Sequence, residues 1–151
     1  MNDLDAPAAD AHRADRLRRN LRQFVKFCFV GGSGVVVNLA VFNLTMVVAG
    51  RFVSDHPSWV PYLANGLGFV VSVLTNYYLN RRWTFRSTGA VSRELPRFFT
   101  VSVIAYAGNL AVFALCYEAL HLGENPSQLI AIACVLPVNF ALNKIWSFRT
   151  P

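Results

Sequence analysis

"NYYLNRRWTFR" spans residues 76–86 and "NFALNKIWSFR" spans residues 139–149. Asn, Asn, Trp, Phe and Arg recur at the same internal spacing, with the second copy 63 residues after the first. Each copy follows a long uncharged run and mixes amides, cations and tryptophan where that run ends. Asn76 and Asn80, like Asn139 and Asn143, stand four residues apart and so share one helix face. A repeated junction of this kind points to two equivalent units, each ending at the same type of boundary.

The composition says what the boundary is. Apolar residues make up 54% of the 151-residue chain and charged residues 15%, against roughly 25% charged in a typical soluble domain. Four uncharged segments, Phe27–Gly50, Pro57–Asn80, Phe98–Tyr117 and Asn125–Asn143, run for 24, 24, 20 and 19 residues. A helix needs about 20 apolar residues to cross a ~30 Å hydrocarbon layer. The expectation is an all-α membrane protein with four transmembrane helices, over approximately 25–49, 58–80, 97–120 and 126–144. The first span is too long for a signal-peptide core and lacks a cleavage site, so it is expected to be retained. Residues 1–20 are polar and Ala-rich and read as a mobile tail that grades into a basic helix on the membrane surface. Residues 21–151 form the single transmembrane domain.

Charge gives the orientation. The net charge is +6, and every Lys and Arg except Arg51 lies before the first span, around the central loop or at the C-terminus. The positive-inside rule places both termini and the central loop in the cytoplasm of a multi-pass protein of the cytoplasmic (inner) membrane. Cations flanking spans also attract anionic membrane lipids. That placement sets aside nucleic acid, the other usual partner of a basic chain.

The repeat extends through both halves. At an offset of 71, "KFCFVGGSGVVVNLAVF" (26–42) lies over "RFFTVSVIAYAGNLAVF" (97–113), with Asn-Leu-Ala-Val-Phe identical. The second helices align at an offset of 63. Repeat one therefore covers 24–86 and repeat two 95–149, each a helical hairpin. Two spans per unit give both hairpins the same orientation, a parallel repeat with a pseudo-two-fold along the membrane normal.

Asn38 and Asn109 fall midway through the first and third spans, near the bilayer centre. A carboxamide facing lipid leaves its donors and acceptors unsatisfied, so each should face a helix or a cavity. Interhelical bonding and a polar path for a solute are both open readings, because intramembrane polar residues serve either end. At the repeated junctions, Trp83 and Trp146 suit interfacial anchors, and Arg can snorkel to phosphates. Arg81, Arg82, Lys144, Arg86 and Arg149 also gather donors beside two amide faces, a combination suited to a lipid phosphate carrying a sugar.

Other chemistry is thin. "GGSG" at 31–34 lacks the Lys-Ser/Thr of a phosphate loop, and Gly31, Gly34, Gly66, Gly68 and Gly108 read as sites of close helix approach. Cys28, Cys116 and Cys134 all sit in spans and read as small buried hydrophobes. Glu118, His121 and Glu124 read as a solvated loop rather than a metal site. No cofactor, metal or covalent catalysis is expected, and the chain is not read as an enzyme.

On "KFCFVGG" (26–32), "RFF" (97–99) and the two junction motifs, the chain resembles the GtrA-like family of small four-span membrane proteins of cell-surface polysaccharide synthesis. The resemblance covers about residues 22–149. It implies flipping of a polyprenyl-phosphate-linked monosaccharide across the inner membrane, beside a membrane glycosyltransferase. In the second copy Lys144 stands for Arg81 and Ile145 for Arg82, so the halves are expected to contribute unequally. The alternatives are a non-transporting adaptor that positions a glycosyltransferase, and an ion-coupled exporter. The exporter needs a mid-depth carboxylate that the sequence lacks. Four helices make a slender wall around a sugar, which leaves room for a homodimer.

Overall fold

A computed structural model of the chain describes residues 6–52 and 59–149. Four helices carry the described residues: α1 (Ala6–Phe52), α2 (Val60–Leu79), α3 (Val91–Ala114) and α4 (Glu124–Leu142), with no strand among them. Single turns of π-helix continue α2, α3 and α4 over Asn80–Thr84, Leu115–Ala119 and Asn143–Ser147. In an apolar medium a helix satisfies its own backbone, which is why uncharged runs of this length fold this way. α2 opens with Pro61 in its first turn, where no backbone N–H is required.

The polar segment read as a mobile tail is helical from Ala6 onward and runs into the first apolar run without a break; residues 1–5 lie outside the described residues. At 47 residues α1 is about 70 Å long, more than twice a ~30 Å hydrocarbon layer, so its basic half projects beyond that layer. Among the described residues, three segments, His12–Phe52, Val91–Ala119 and Glu124–Ser147, are long and apolar enough to cross a membrane. The 20-residue α2 carries no charge but is not among them; Asn65, Ser72, Asn76 and two tyrosines near its end interrupt its apolar run.

The protein wears its apolar residues outside. Phe29, Phe52, Leu129 and Val36 are exposed, whereas Asn80, Thr84, Glu94, Asn143 and Ser147 are buried. That inversion suits a hydrocarbon surround, since water-soluble monomers rarely expose large contiguous apolar patches.

α1 packs along α2, and α3 along α4. In the first hairpin the approach is close. A Cβ on Gly68 would lie 2.8 Å from the Asn38 carbonyl oxygen, and one on Gly34 would overlap the Asn76 carboxamide. Ser72 Oγ donates to the Gly34 carbonyl at 2.8 Å. Gly31 and Gly66, by contrast, have no such neighbour, and Gly108 makes only an ordinary contact with Val135.

The hairpins join at their basic ends through an aromatic cluster that repeats itself. Tyr77 and Phe98 have ring centroids 5.7 Å apart, and their counterparts Phe140 and Phe27 are 5.6 Å apart. Tyr77 stacks on Phe148 at 5.8 Å, and Phe140 on Phe85 at 5.8 Å. Phe85 and Phe148 stack on each other at 4.8 Å, in the middle.

Candidate functional site

The basic end is built by the two π-helical turns that carry the repeated motif. In the first, the Phe85 N–H donates to the Asn80 carbonyl at 2.8 Å; in the second, Phe148 donates to Asn143 at 2.9 Å. Such widened turns often mark functional positions. Here they turn Asn80, Thr84, Asn143 and Ser147 inward while Arg82, Trp83, Ile145 and Trp146 stay exposed. The first turn ends at Arg86, whose φ of 51° breaks the helix.

Arg81 and Lys144 reach across between the hairpins. Arg81 Nε lies 2.8 Å from Glu94 Oε2, and its Nη2 donates to the Gly89 carbonyl at 2.7 Å. Glu94, almost fully buried, also accepts from the Tyr77 hydroxyl at 3.2 Å and from Ser87 Oγ. Lys144 Nζ donates to Gln23 Oε1 at 2.7 Å and to Asn20 Oδ1. Gln23 and Glu94 occupy equivalent places at an offset of 71, so each hairpin grips the other with the same pair of positions. The Glu94 hydrogen bond raises the Arg81 pKa above its ordinary value. Both cations, read from sequence as phosphate donors, are engaged within the protein. Glu94 is a site residue that sequence reasoning misses; its signal is to be the sole carboxylate among the cations of 81–97.

The tryptophans are held in the same duplicated manner. Lys26 Nζ sits 5.1 Å from the Trp83 ring centroid and 3.4 Å from the Trp83 carbonyl oxygen. The Arg97 guanidinium lies 5.9 Å from the Trp146 ring, and its Nη1 donates to the Trp146 carbonyl at 3.3 Å. Arg82, Arg86 and Arg149 remain exposed. A cavity of about 770 Å³ opens between the start of α3 and the final turn, with Arg93, Arg97 and Arg149 in its wall. Arg93 and Arg97, which the sequence marks only as cations of the central loop, are thereby part of the site.

The amides divide. Asn143 Nδ2 donates to the Asn139 carbonyl at 3.0 Å and to its Oδ1 at 2.9 Å. Asn76 Oδ1, Asn80 Oδ1 and Asn143 Oδ1 are buried without a hydrogen-bond partner, as are Thr84 Oγ1 and Ser147 Oγ. Asn38, Asn76 and Ser72 line one groove of about 270 Å³ with Gly31 and Gly34, on the α1–α2 face. Asn109 is half-buried on α3 and does not join it. The groove thus brings Asn38 to Asn76, not to its counterpart Asn109.

Elsewhere the cysteines are free, with Cys116 buried, Cys28 half-buried and Cys134 exposed on the apolar surface. No three His, Cys, Asp or Glu side chains come together as a metal site among the described residues.

The sequence has known relatives. Residues 26–148 match the model of the GtrA/DPMS transmembrane domain. The chain belongs to the GtrA/DPMS transmembrane-domain family. It is 24% identical over 133 residues to the cell wall teichoic acid glycosylation protein GtcA of Listeria monocytogenes, covering 85% of this chain and 86% of that one. The GtcA of Listeria innocua is likewise 24% identical over 134 residues, with coverage of 86% and 87%. The membrane protein YngA of Bacillus subtilis is 26% identical over 139 residues, with coverage of 87% and 83%. Membership accounts for both copies of the motif, because the matched region begins at Lys26 and ends at Phe148. The chain is an integral membrane protein of this GtrA/DPMS type, in a family tied to glycosylation of cell-wall polymers.

Proposed function

We propose that this protein flips a polyprenyl-phosphate-linked monosaccharide across the cytoplasmic membrane, for glycosylation of a cell-surface polymer. The groove formed by Asn38, Ser72 and Asn76 carries the reading. It gathers two carboxamides and a hydroxyl among glycines and apolar side chains, and Asn76 stands one helical turn before Asn80 and the cations that follow it. At about 270 Å³ it falls just below the ~300–1,000 Å³ of most small-molecule sites, a size for one sugar. A sugar in hydrocarbon loses several kcal/mol for each unpaired polar group, and carboxamides and a hydroxyl return those hydrogen bonds.

In this reading α2 is the fourth span and both termini and the central loop are cytoplasmic, as the cation distribution supports. The two hairpins are a parallel repeat about an axis along the membrane normal, which the matched aromatic and cation–ring distances support. The chain moves lipid and performs no chemistry; the sugar is transferred by a membrane glycosyltransferase beside it. A homodimer would widen the wall around the headgroup. Arg82, Arg86 and Arg149 draw the lipid phosphate, while Arg81 and Lys144 hold the mouth together.

Reconstitution tests it. Vesicles holding the protein and a polyprenyl-phosphate sugar should expose the inner-leaflet headgroup to an external reagent faster than protein-free vesicles. Equal rates would leave the adaptor role, in which the chain only positions the transferase.

A further inference from the structure

The cavity of about 770 Å³ at the basic end has its own chemistry, separate from the α1–α2 groove. Arg93 and Arg97 stand one helical turn apart on α3 and line one side; Arg149 lines the other, past the final π-helical turn. The carboxylate in the wall, Glu94, is occupied by Arg81, Tyr77 and Ser87, so its charge is compensated from behind. Ser147, only 1% exposed, lines the same cavity, and its Oγ has no hydrogen-bond partner. The first turn of α3 also begins here without a side-chain cap, adding the positive end of a 24-residue helix.

Three guanidinium groups, an unpaired buried hydroxyl and a helix N-terminus favour one kind of ligand. We infer that this cavity binds a phosphate-bearing anion. Arg93 and Arg149 grip its oxygens from opposite walls, because guanidinium offers paired donors matched to phosphate. Ser147 Oγ donates to a third oxygen, and Arg97 adds charge while braced on the Trp146 carbonyl. The phosphate can come from a lipid headgroup or from solution. The inference rests on the translocation reading only if a lipid is the source.

Trp146 lines the cavity and reports on it. The full-length protein with Trp59→Phe and Trp83→Phe keeps Trp146 as its remaining tryptophan. In phosphatidylcholine nanodiscs, one arm adds sodium phosphate and the other incorporates polyprenyl monophosphate into the disc. A saturable change in Trp146 fluorescence is expected, with apparent affinity falling at least tenfold in Arg93→Gln/Arg149→Gln. Ser147→Ala should weaken it several-fold, and Arg13→Gln/Arg16→Gln on the projecting part of α1 should leave it unchanged. Response in the lipid arm alone identifies a headgroup site; response in both arms identifies a site that also takes free phosphate. No response in either arm overturns the inference, as does an equal loss in the α1 variant, which would mean diffuse attraction to positive charge. Asn38→Leu separates the two readings: it should leave this titration intact even where translocation is lost.

Discussion

Phe85 and Phe148 stack at 4.8 Å with their planes 19° apart, and they hold the same position in the two copies of the repeated motif. Each also contacts the other hairpin's aromatic residues, so this pair ties the halves together at the basic end. The prediction is a positive coupling. Phe148→Ala removes a buried ring and should cost about 3–5 kcal/mol by analogy with other core truncations. Phe85→Ala should cost less, because that ring is only partly buried. A double-mutant cycle on thermal stability in detergent should return about 0.5–1.5 kcal/mol of stacking energy. Strict additivity would mean that the rings are neighbours without being partners.

The Arg81–Glu94 pair is the second tie. Arg81→Gln leaves a buried carboxylate without its cation, so the melting temperature should fall. Adding Glu94→Gln removes that stranded charge and should recover part of the loss, because taking away both partners of a buried pair is milder than taking away one. Lys144→Gln should be gentler than Arg81→Gln, since Gln23 and Asn20 carry no charge to strand. Equal effects of the two single substitutions would contradict this ordering.

Glycine positions supply a third, internally controlled prediction. Gly68→Ala pushes a methyl to 2.8 Å from the Asn38 carbonyl oxygen, a backbone atom that yields only if α1 moves. A cost of about 1–3 kcal/mol is expected, typical of overpacking. Gly66→Ala meets nothing within 4 Å and should be neutral or slightly stabilising, as helix propensity favours alanine. Similar melting temperatures for the two variants would mean that α1 and α2 pack less closely than described.

Much of this was legible in the sequence for a physical reason. Uncharged runs long enough to cross a bilayer have few alternatives to helix, and a duplicated motif at constant spacing has few alternatives to duplicated structure. The partnering of Arg81 and Lys144 was not legible. Both lie next to amides in sequence, whereas their acceptors Glu94 and Gln23 lie on the first helix of the opposite hairpin, just ahead of the repeated segment, and nothing local marks a contact that distant. Asn38 and Asn109 fall at matched places in the two halves, but only Asn38 lines the groove. Only the first hairpin carries Gly34 and Ser72 beside its amide; the equivalent positions in the second are Ala105 and Val135. The groove depends on those small or polar neighbours as much as on the asparagine.

Orientation is open to direct labelling. Single cysteines at positions 55 and 90, in a background with Cys28, Cys116 and Cys134 replaced, should react from opposite sides. Position 55 should label from outside the cell and position 90 only after the membrane is breached. External labelling of position 90 would reverse the topology and undo the reading of the cations.

Asn38 and Asn109 give the most discriminating test of a path through the first hairpin. Leucine has the same number and branching of side-chain heavy atoms as asparagine, though it is bulkier, and it removes the hydrogen-bonding capacity. If the groove is the path, Asn38→Leu removes one of its three polar side chains where a crossing sugar is least hydrated, and translocation should fall at least tenfold. Asn109→Leu removes an amide outside the groove and should change the rate less than threefold. Losing an interhelical amide also weakens bundles, by about 0.6–2 kcal/mol, so melting temperatures must be measured on the same preparations. Equal rate losses with intact folding would make the path symmetric, shared by both hairpins. Parental rates in the Asn38→Leu variant would reduce the carboxamide to a fastening between α1 and α2, and the adaptor reading would then stand in place of the flippase.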